Sequence, residues 1–525
     1  MGDHMLNAVI GQSYETSEEN TMRVTGSGFF DDNEKSVAVA TDKRVLDALT
    51  QEWAVVSYFS RINYRFKNRY LAGFTYRIDG SSRFSKNERY RGFPSFSAGW
   101  ILTEEDFMEN SRNWLSELKL RASYGLTGLD GSFGGYYGNQ GQWTRDNRTM
   151  SGNTLIYNGV PLLFNEQSVN PNLDWETTTS LDLGIDATLF NGKMDLTLDY
   201  FYKKTNNLLA NDMVPLYTGW SYQQQNVGSM KNEGIELLVN GTLLQTNDWR
   251  WTGSFNISHV KDKLLSLNEA GHQMANSQGL EKKVFKVGES LSQFYLYDWV
   301  GVDPLTGNPL WRYDDGSVSE TPPQALFDSE NPLANRYAAG NSLPDFYGGI
   351  TNNISYKNWD LNFTFSYAVG QKMMNGTQAS LMTYTLTESN NLSTDILDYW
   401  KIPGHQTDVP KLDNATTVYR NPLWPTSGLN GYDVSRLNDR FLEDGSYLRL
   451  RNITLAYTFD QNWVRKLYME RVKVYVQGNN LLTFTGYSGV DPEVSAYGSN
   501  AVLGGYDEIT MPQVKTLKFG VDITF

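Results

Sequence analysis

At 525 residues the chain is long enough for several soluble domains or for one large barrel. It has no cysteine, which excludes disulfides, thiol nucleophiles and thiolate metal sites, and its formal charge of −14 disfavours nucleic acid, whose phosphates would be repelled. Aromatic residues reach 14% at a mean hydropathy of −0.48, and no apolar run approaches the roughly 18 residues that a membrane helix needs; alternating membrane strands remain open.

Taken in chain order, Met1-Gly2-Asp3-His4 runs straight into Leu6-Asn7-Ala8-Val9-Ile10-Gly11, a strand already under way. No signal peptide is visible, and an exported barrel needs one, so a fragment of a longer protein is expected. Strands are expected near residues 5–14, 53–65, 70–79, 94–102, 118–125, 176–189, 193–203, 233–243, 249–259, 346–356, 359–369, 447–459, 471–478 and 515–525. Period-two alternation carries these assignments. Leu181, Leu183, Ile185, Ala187 and Leu189 oppose Asp182, Gly184, Asp186 and Thr188. After Asn191-Gly192, a two-residue hairpin signal, Met194, Leu196, Leu198, Tyr200 and Tyr202 share a face. Trp359, Leu361, Phe363, Phe365 and Tyr367 oppose Asp360, Asn362, Thr364 and Ser366, and Leu517, Phe519, Val521, Ile523 and Phe525 close the chain in the same pattern. Faces holding Asp and Lys suit a watery or plugged lumen better than a sandwich core.

One strand changes phase. Leu448 and Leu450 have one parity, and Ile453, Leu455, Tyr457 and Phe459 the other, so a bulge is expected near Arg451-Asn452. Connections are short at 67–69, 191–192, 244–248 and 357–358. They are long at 204–232, 260–345, 370–446 and 478–514. With the last strand ending in the periplasm, parity puts every short turn on that side, as outer-membrane barrels require. The connections at 103–117 and 460–470 each have room for a short helix.

Several segments resemble the SusC/RagA family of TonB-dependent importers: Tyr447 to Leu455 with Tyr457-Thr458-Phe459, Gly478-Asn479-Asn480-Leu481-Leu482-Thr483, and Gly489-Val490-Asp491-Pro492-Glu493. Asn170-Pro171-Asn172-Leu173-Asp174-Trp175-Glu176 and Gly301-Val302-Asp303-Pro304-Leu305-Thr306-Gly307 also match. The resemblance implies an all-β fold, a transmembrane antiparallel β-barrel of which this chain supplies the C-terminal strands, about 14 of roughly 22, around a plug. It implies a SusD-like lipoprotein lid and coupling to the TonB complex through a plug-side region that this chain lacks. Outer-membrane lipid would surround the barrel, in a Gram-negative, Bacteroidetes-type cell, and glycans or peptides would be the substrates. Phe525 matches the terminal aromatic of the outer-membrane assembly signal.

No catalytic residue, metal set or cofactor is expected. His4, His259, His272 and His405 lack metal-ligand spacing with one another. Asp31-Asp32 and Asp314-Asp315 suit solvated loops, and the glycine-rich run 125–135 suits an extracellular loop. The turn at 303–308 suits a structural role. Sugar faces stack on flat rings, so Tyr136, Tyr137, Trp143, Trp220, Tyr222 and Trp311 are the candidate ligand contacts. Two other functions stay open on the sequence: a secreted carbohydrate-active or carbohydrate-binding β-protein, and a passive porin or adhesin.

Overall fold

The computed structural model describes residues 3–31, 33–34, 36–130, 143–145, 156–157, 160–161, 163–165, 168–213, 217, 220, 222–267, 272–274, 283–321, 334–382, 391–412, 438–498, 500 and 502–525. Its large antiparallel sheet has fourteen strands taken in chain order. They are β1 His4–Ser27, β2 Asp42–Phe66, β3 Tyr70–Ser81, β4 Tyr90–Ile101, β5 Leu115–Leu129, β6 Glu176–Leu189 and β7 Met194–Asn206. The series continues with β8 Ser229–Gln245, β9 Trp249–Ser266, β10 Phe346–Tyr356, β11 Trp359–Val369, β12 Tyr447–Thr458, β13 Arg471–Thr485 and β14 Thr516–Thr524. The chain divides into two compact units, Met1–Glu109 with Lys119–Gly184 and Phe201–Lys231, and Asn110–Leu118 with Ile185–Tyr200 and Asn232–Phe525.

In the first unit β1 pairs with β2 from His4↔Phe66 to Ser27↔Asp42, far beyond the expected 5–14. Residues 16–27 are polar apart from Met22 and Val24, and the apolar residues of 42–54 fall in adjacent pairs, Val45-Leu46, Ala48-Leu49 and Trp53-Ala54, so neither stretch alternates. Lys67 and Asn68 take positive φ in the tight connection to β3, and β3 to β4 follows from Tyr70↔Trp100. Phe84, Phe93, Leu173 and Trp175 form a buried core cluster. The Phe84 and Trp175 rings lie 5.0 Å apart, and Phe93 meets Trp175 edge-on at 5.5 Å. Gly128 is required there, because a Cβ would come within 2.2 Å of the Phe93 ring.

In the second unit β9 to β14 form an uninterrupted antiparallel run. The two-residue turn at 357–358 joins Tyr356↔Trp359 as expected. At Asn191-Gly192 the connection is longer than a two-residue hairpin. Phe190, Asn191 and Gly192 all have positive φ, and the Phe190 N–H is drawn away to the Trp114 carbonyl at 2.6 Å.

The apolar face of these strands is exposed: Leu455 by 41%, Leu517 by 59%, Phe519 by 78% and Val521 by 60%. An exposed face of this size needs a nonaqueous cover. The polar face pairs its own charges, with Asp360 accepting from Ser355 Oγ at 2.7 Å and lying 3.9 Å from Lys473 Nζ. Aromatic rings line the short-turn end. The Trp249 and Tyr356 rings meet tilted at 4.3 Å and those of Trp359 and Tyr457 at 4.8 Å, and in the first unit His4, Phe66, Tyr70 and Trp100 form a similar row. Such belts sit at membrane–water boundaries.

The phase break in β12 is a bulge. Leu450 pairs with Phe365 and Leu482, Asn452 pairs with Thr364 and Asn479, and Arg451 has no opposite residue on either side.

Candidate functional site

Two arginines of β12 stand at the bulge. Arg449 and the bulged Arg451 lie two residues apart on β12, and both reach the segment Asp491-Pro492-Glu493. Arg449 is 3% exposed and Asp491 is 3% exposed. The Arg449 guanidinium donates to both Asp491 oxygens, at 2.5 and 3.2 Å, and its Nε lies 2.9 Å from Glu493 Oε2. Arg451 donates to Glu493 Oε1, to Gln513 Oε1 at 3.0 Å and to Ser366 Oγ at 2.8 Å. The Tyr447 hydroxyl also donates to Glu493, at 2.6 Å. Burial alone would raise the Asp491 carboxyl. Donation from Arg449 and from the backbone N–H groups of Gln513 and Glu493 outweighs it and holds the carboxyl below its ordinary range. This clasp fastens the last long loop to the sheet wall with charge-assisted bonds.

A second network lies beside it in the same unit. Asn375 donates to Glu443 at 2.9 Å and to Ser488 at 3.2 Å, and Ser488 donates its hydroxyl and backbone N–H to Glu443. Fully buried Asp507 accepts from Thr377 Oγ1 and Tyr487 OH, both at 2.9 Å. Burial, reinforced by that bond to Asp507, raises the Tyr487 hydroxyl well above the ordinary tyrosine range. Lys283 ties two loops together, donating to Ser342 Oγ at 2.6 Å and to the carbonyls of Val502 and Gly504 at 2.7 Å. Its ammonium also lies 4.8 Å from the Phe294 ring centre. Burial pushes this lysine down to about 7, partly opposed by Asp262.

Beside these anchors the wall of the second unit forms an open concavity of about 600 Å³, where polar groups such as Asp199, Glu236 and Asn256 stand among apolar ones such as Leu237, Leu238 and Phe365. Tyr367 OH donates to the Asn256 carbonyl at 3.0 Å, and Asn256 Oδ1 accepts from the Gly349 N–H at 2.5 Å. Gly348 makes that approach possible: a Cβ would sit 2.0 Å from the Asn256 carbonyl oxygen. Carboxylates, hydroxyls and amides beside leucines and aromatic rings suit a ligand with both hydrogen-bonding groups and apolar faces. Among the described residues no cluster of His, Asp and Glu is arranged to hold a metal.

A family profile described as TonB dependent receptor-like, beta-barrel matches residues 4–481. The chain belongs to the TonB-dependent receptor barrel family. TonB-dependent receptor P3 of Formosa agariphila is 31% identical over 552 aligned positions, covering 100% of this chain and 51% of that protein. TonB-dependent receptor SusC of Bacteroides thetaiotaomicron is 30% identical, over 90% of this chain and 44% of its own length. The RagAB peptide transporter structure superposes with a TM-score of 0.80 at 28% identity, covering 100% of this chain and 54% of that one. The chain therefore spans about half the length of the relatives it matches. The SusC/RagA resemblance holds along it, and these relatives are receptors and transporters. An outer-membrane setting is consistent with that kinship and with the exposed apolar strand face.

The family's sequence signatures serve as loop anchors in this barrel. In the segment 170–176, Leu173 and Trp175 enter the first unit's core. Asn170 donates to the Gln224 carbonyl at 2.7 Å, and Asn226 exchanges bonds with the Asp174 backbone at 2.9 and 3.0 Å. In the segment 301–308, Asp303 caps its own turn through the Leu305 N–H at 2.6 Å, and the Trp400 indole donates to the Pro304 carbonyl at 2.8 Å.

The six candidate ligand aromatics are not gathered into one site among the described residues. Tyr136 and Tyr137 lie outside the described residues. Trp143 lies in a short strand opposite Asn165, and Tyr222 in another opposite Met213. Trp220 is half-buried in the loop between β7 and β8. Trp311 is 1% exposed, packed edge-on against Trp299 at 5.2 Å and clustered with Tyr297; its ring forms loop core. Phe525 is 82% exposed at the end of the chain, just past β14. Sequence reasoning missed the clasp as a site. Two arginines of one parity, the second at the phase break of a barrel strand, were the available signal.

Proposed function

We propose that this chain forms the barrel wall and extracellular loops of a TonB-dependent importer of oligomeric nutrients, glycans or peptides, in the outer membrane of a Gram-negative, Bacteroidetes-type bacterium. A SusD-like surface lipoprotein covers the loops, and TonB acts through a part of the importer that this chain does not span. The similarity to the RagAB peptide transporter along the whole chain, at a TM-score of 0.80, carries this reading. The clasped loops and the concavity beside them support it. They give a lid a defined rim and give the substrate a hydrogen-bonding wall.

The test is deletion of the gene encoding the importer, with growth measured on single glycans and on peptides as sole carbon source, and affinity capture of the tagged importer from membranes. Loss of growth on one substrate class, with co-capture of a surface lipoprotein, is expected. Unaltered growth on every nutrient of both classes, with no lipoprotein captured, would refute the assignment.

A further inference from the structure

The connection between β12 and β13 has a built form. Asp460 accepts from the Asn462 N–H at 2.8 Å and caps a single turn, Gln461–Val464, followed by a 3-10 turn at Arg465–Leu467. Tyr468 ends it in the left-handed region, at φ 60°, and the Glu470 N–H donates to the Thr524 carbonyl at 2.7 Å. Val464 is fully buried and fixes the turn against the sheet, and this decides which side chains point outward. Those are Trp463, Leu467 and Tyr468, exposed by 52%, 50% and 93%. A turn lying in water has no reason to present three such groups together.

The patch continues the strand belt. Trp463 lies 5.4 Å from Phe459, Phe459 lies 5.2 Å from Tyr457, and Tyr457 lies 4.8 Å from Trp359. Arg465 and Lys466 sit between the exposed rings and have no carboxylate partner among the described residues. Cationic heads on apolar stems beside Trp and Tyr match the boundary where acyl chains meet phosphates.

We propose that residues 460–470 form a seat for phospholipid headgroups of the periplasmic leaflet. Trp463, Leu467 and Tyr468 enter the boundary, and Arg465 and Lys466 hold phosphates. This rests on the outer-membrane reading of the barrel. The probe is a bilayer of phosphatidylethanolamine and phosphatidylglycerol in nanodiscs. Residues 1–525 hold no cysteine, so Leu467→Cys supplies the one thiol of this part for a spin label, any cysteine elsewhere in the importer being replaced by serine, with Tyr468→Cys as a second position. Leu305→Cys, in a long loop and 68% exposed, reports water, and Leu455→Cys reports lipid. Each variant is first checked for heat-modifiable migration.

The label at 467 is expected to collide with a water-soluble nickel chelate at least about threefold less often than the label at 305, as an interfacial position should. Adding Arg465→Gln and Lys466→Gln is expected to raise that collision rate toward the water value. Equal nickel access at 467 and 305 overturns the proposal, and so does a rate unmoved by the two Gln substitutions. Nickel access at 455 would instead overturn the membrane reading itself.

Discussion

Replacing Arg449 with Met should open the last long loop without dissolving the sheet. The side chain is 4% exposed, as is that of Asp491, and three charged contacts lie within 3.2 Å. Removing it leaves Asp491 buried, with only the N–H groups of Gln513 and Glu493, at 3.0 and 2.9 Å, to hold a negative charge. Losing one partner of a buried ion pair costs about 3–5 kcal/mol, equivalent to a factor of roughly 10² to 4 × 10³ in loop opening. Asp491→Asn keeps a hydrogen-bond acceptor for Arg449 and leaves Glu493 as a counter-ion, so its cost should be smaller, about 1–3 kcal/mol. The double variant Arg449→Met with Asp491→Leu should cost less than the sum of its parts, because the orphaned carboxylate is gone. Hydrogen exchange in detergent reads this directly, comparing amides of 486–498 with those of β13. Exchange in 486–498 that stays within threefold of the parent would refute the clasp. Equal loss of protection in β13 would mean that the cluster holds the wall and not the loop.

Lys283 gives a pH prediction. Its folded value is lowered to about 7 from the ordinary 10.5, so between these limits the unfolded loop binds more protons than the folded one. Stability of the loops around 283, 342 and 502–504 should therefore rise as pH increases from about 7 toward 10.5. Lys283→Met should flatten the exchange profile over that window; a persisting slope would assign it to another group. Leu455→Arg, on the exposed apolar face opposite Leu361 and Val476, should cost about 2–4 kcal/mol in a bilayer. Equal unfolding midpoints for this variant and the parent in lipid vesicles would argue against lipid on that face. Trp175→Ala should cost about 3–5 kcal/mol through loss of the buried ring, and Gly128→Val about 1–3 kcal/mol by overpacking. Denaturant titration with proteolysis of the 170–176 segment checks both, and unchanged midpoints would remove that cluster from the first unit's core.

The sequence alone determined the class of structure, because a strand with lipid on one side and water on the other must alternate, and alternation survives in the residue order. Leu517 to Phe525 and Trp359 to Tyr367 carry it plainly, and even the bulge at Arg451 was legible as a change of phase. The tertiary structure decided everything that depends on residues distant in the chain. The extension of β1 along β2 to Ser27 rests on backbone pairing between two stretches that do not alternate, so no periodicity encodes it. The burial of Trp311 depends on Tyr297 and Trp299, which meet it through a loop sheet. Convergence of Arg449 and Arg451 on Asp491 and Glu493 spans about forty residues. It required the last loop to fold back onto β12, which no local pattern specifies.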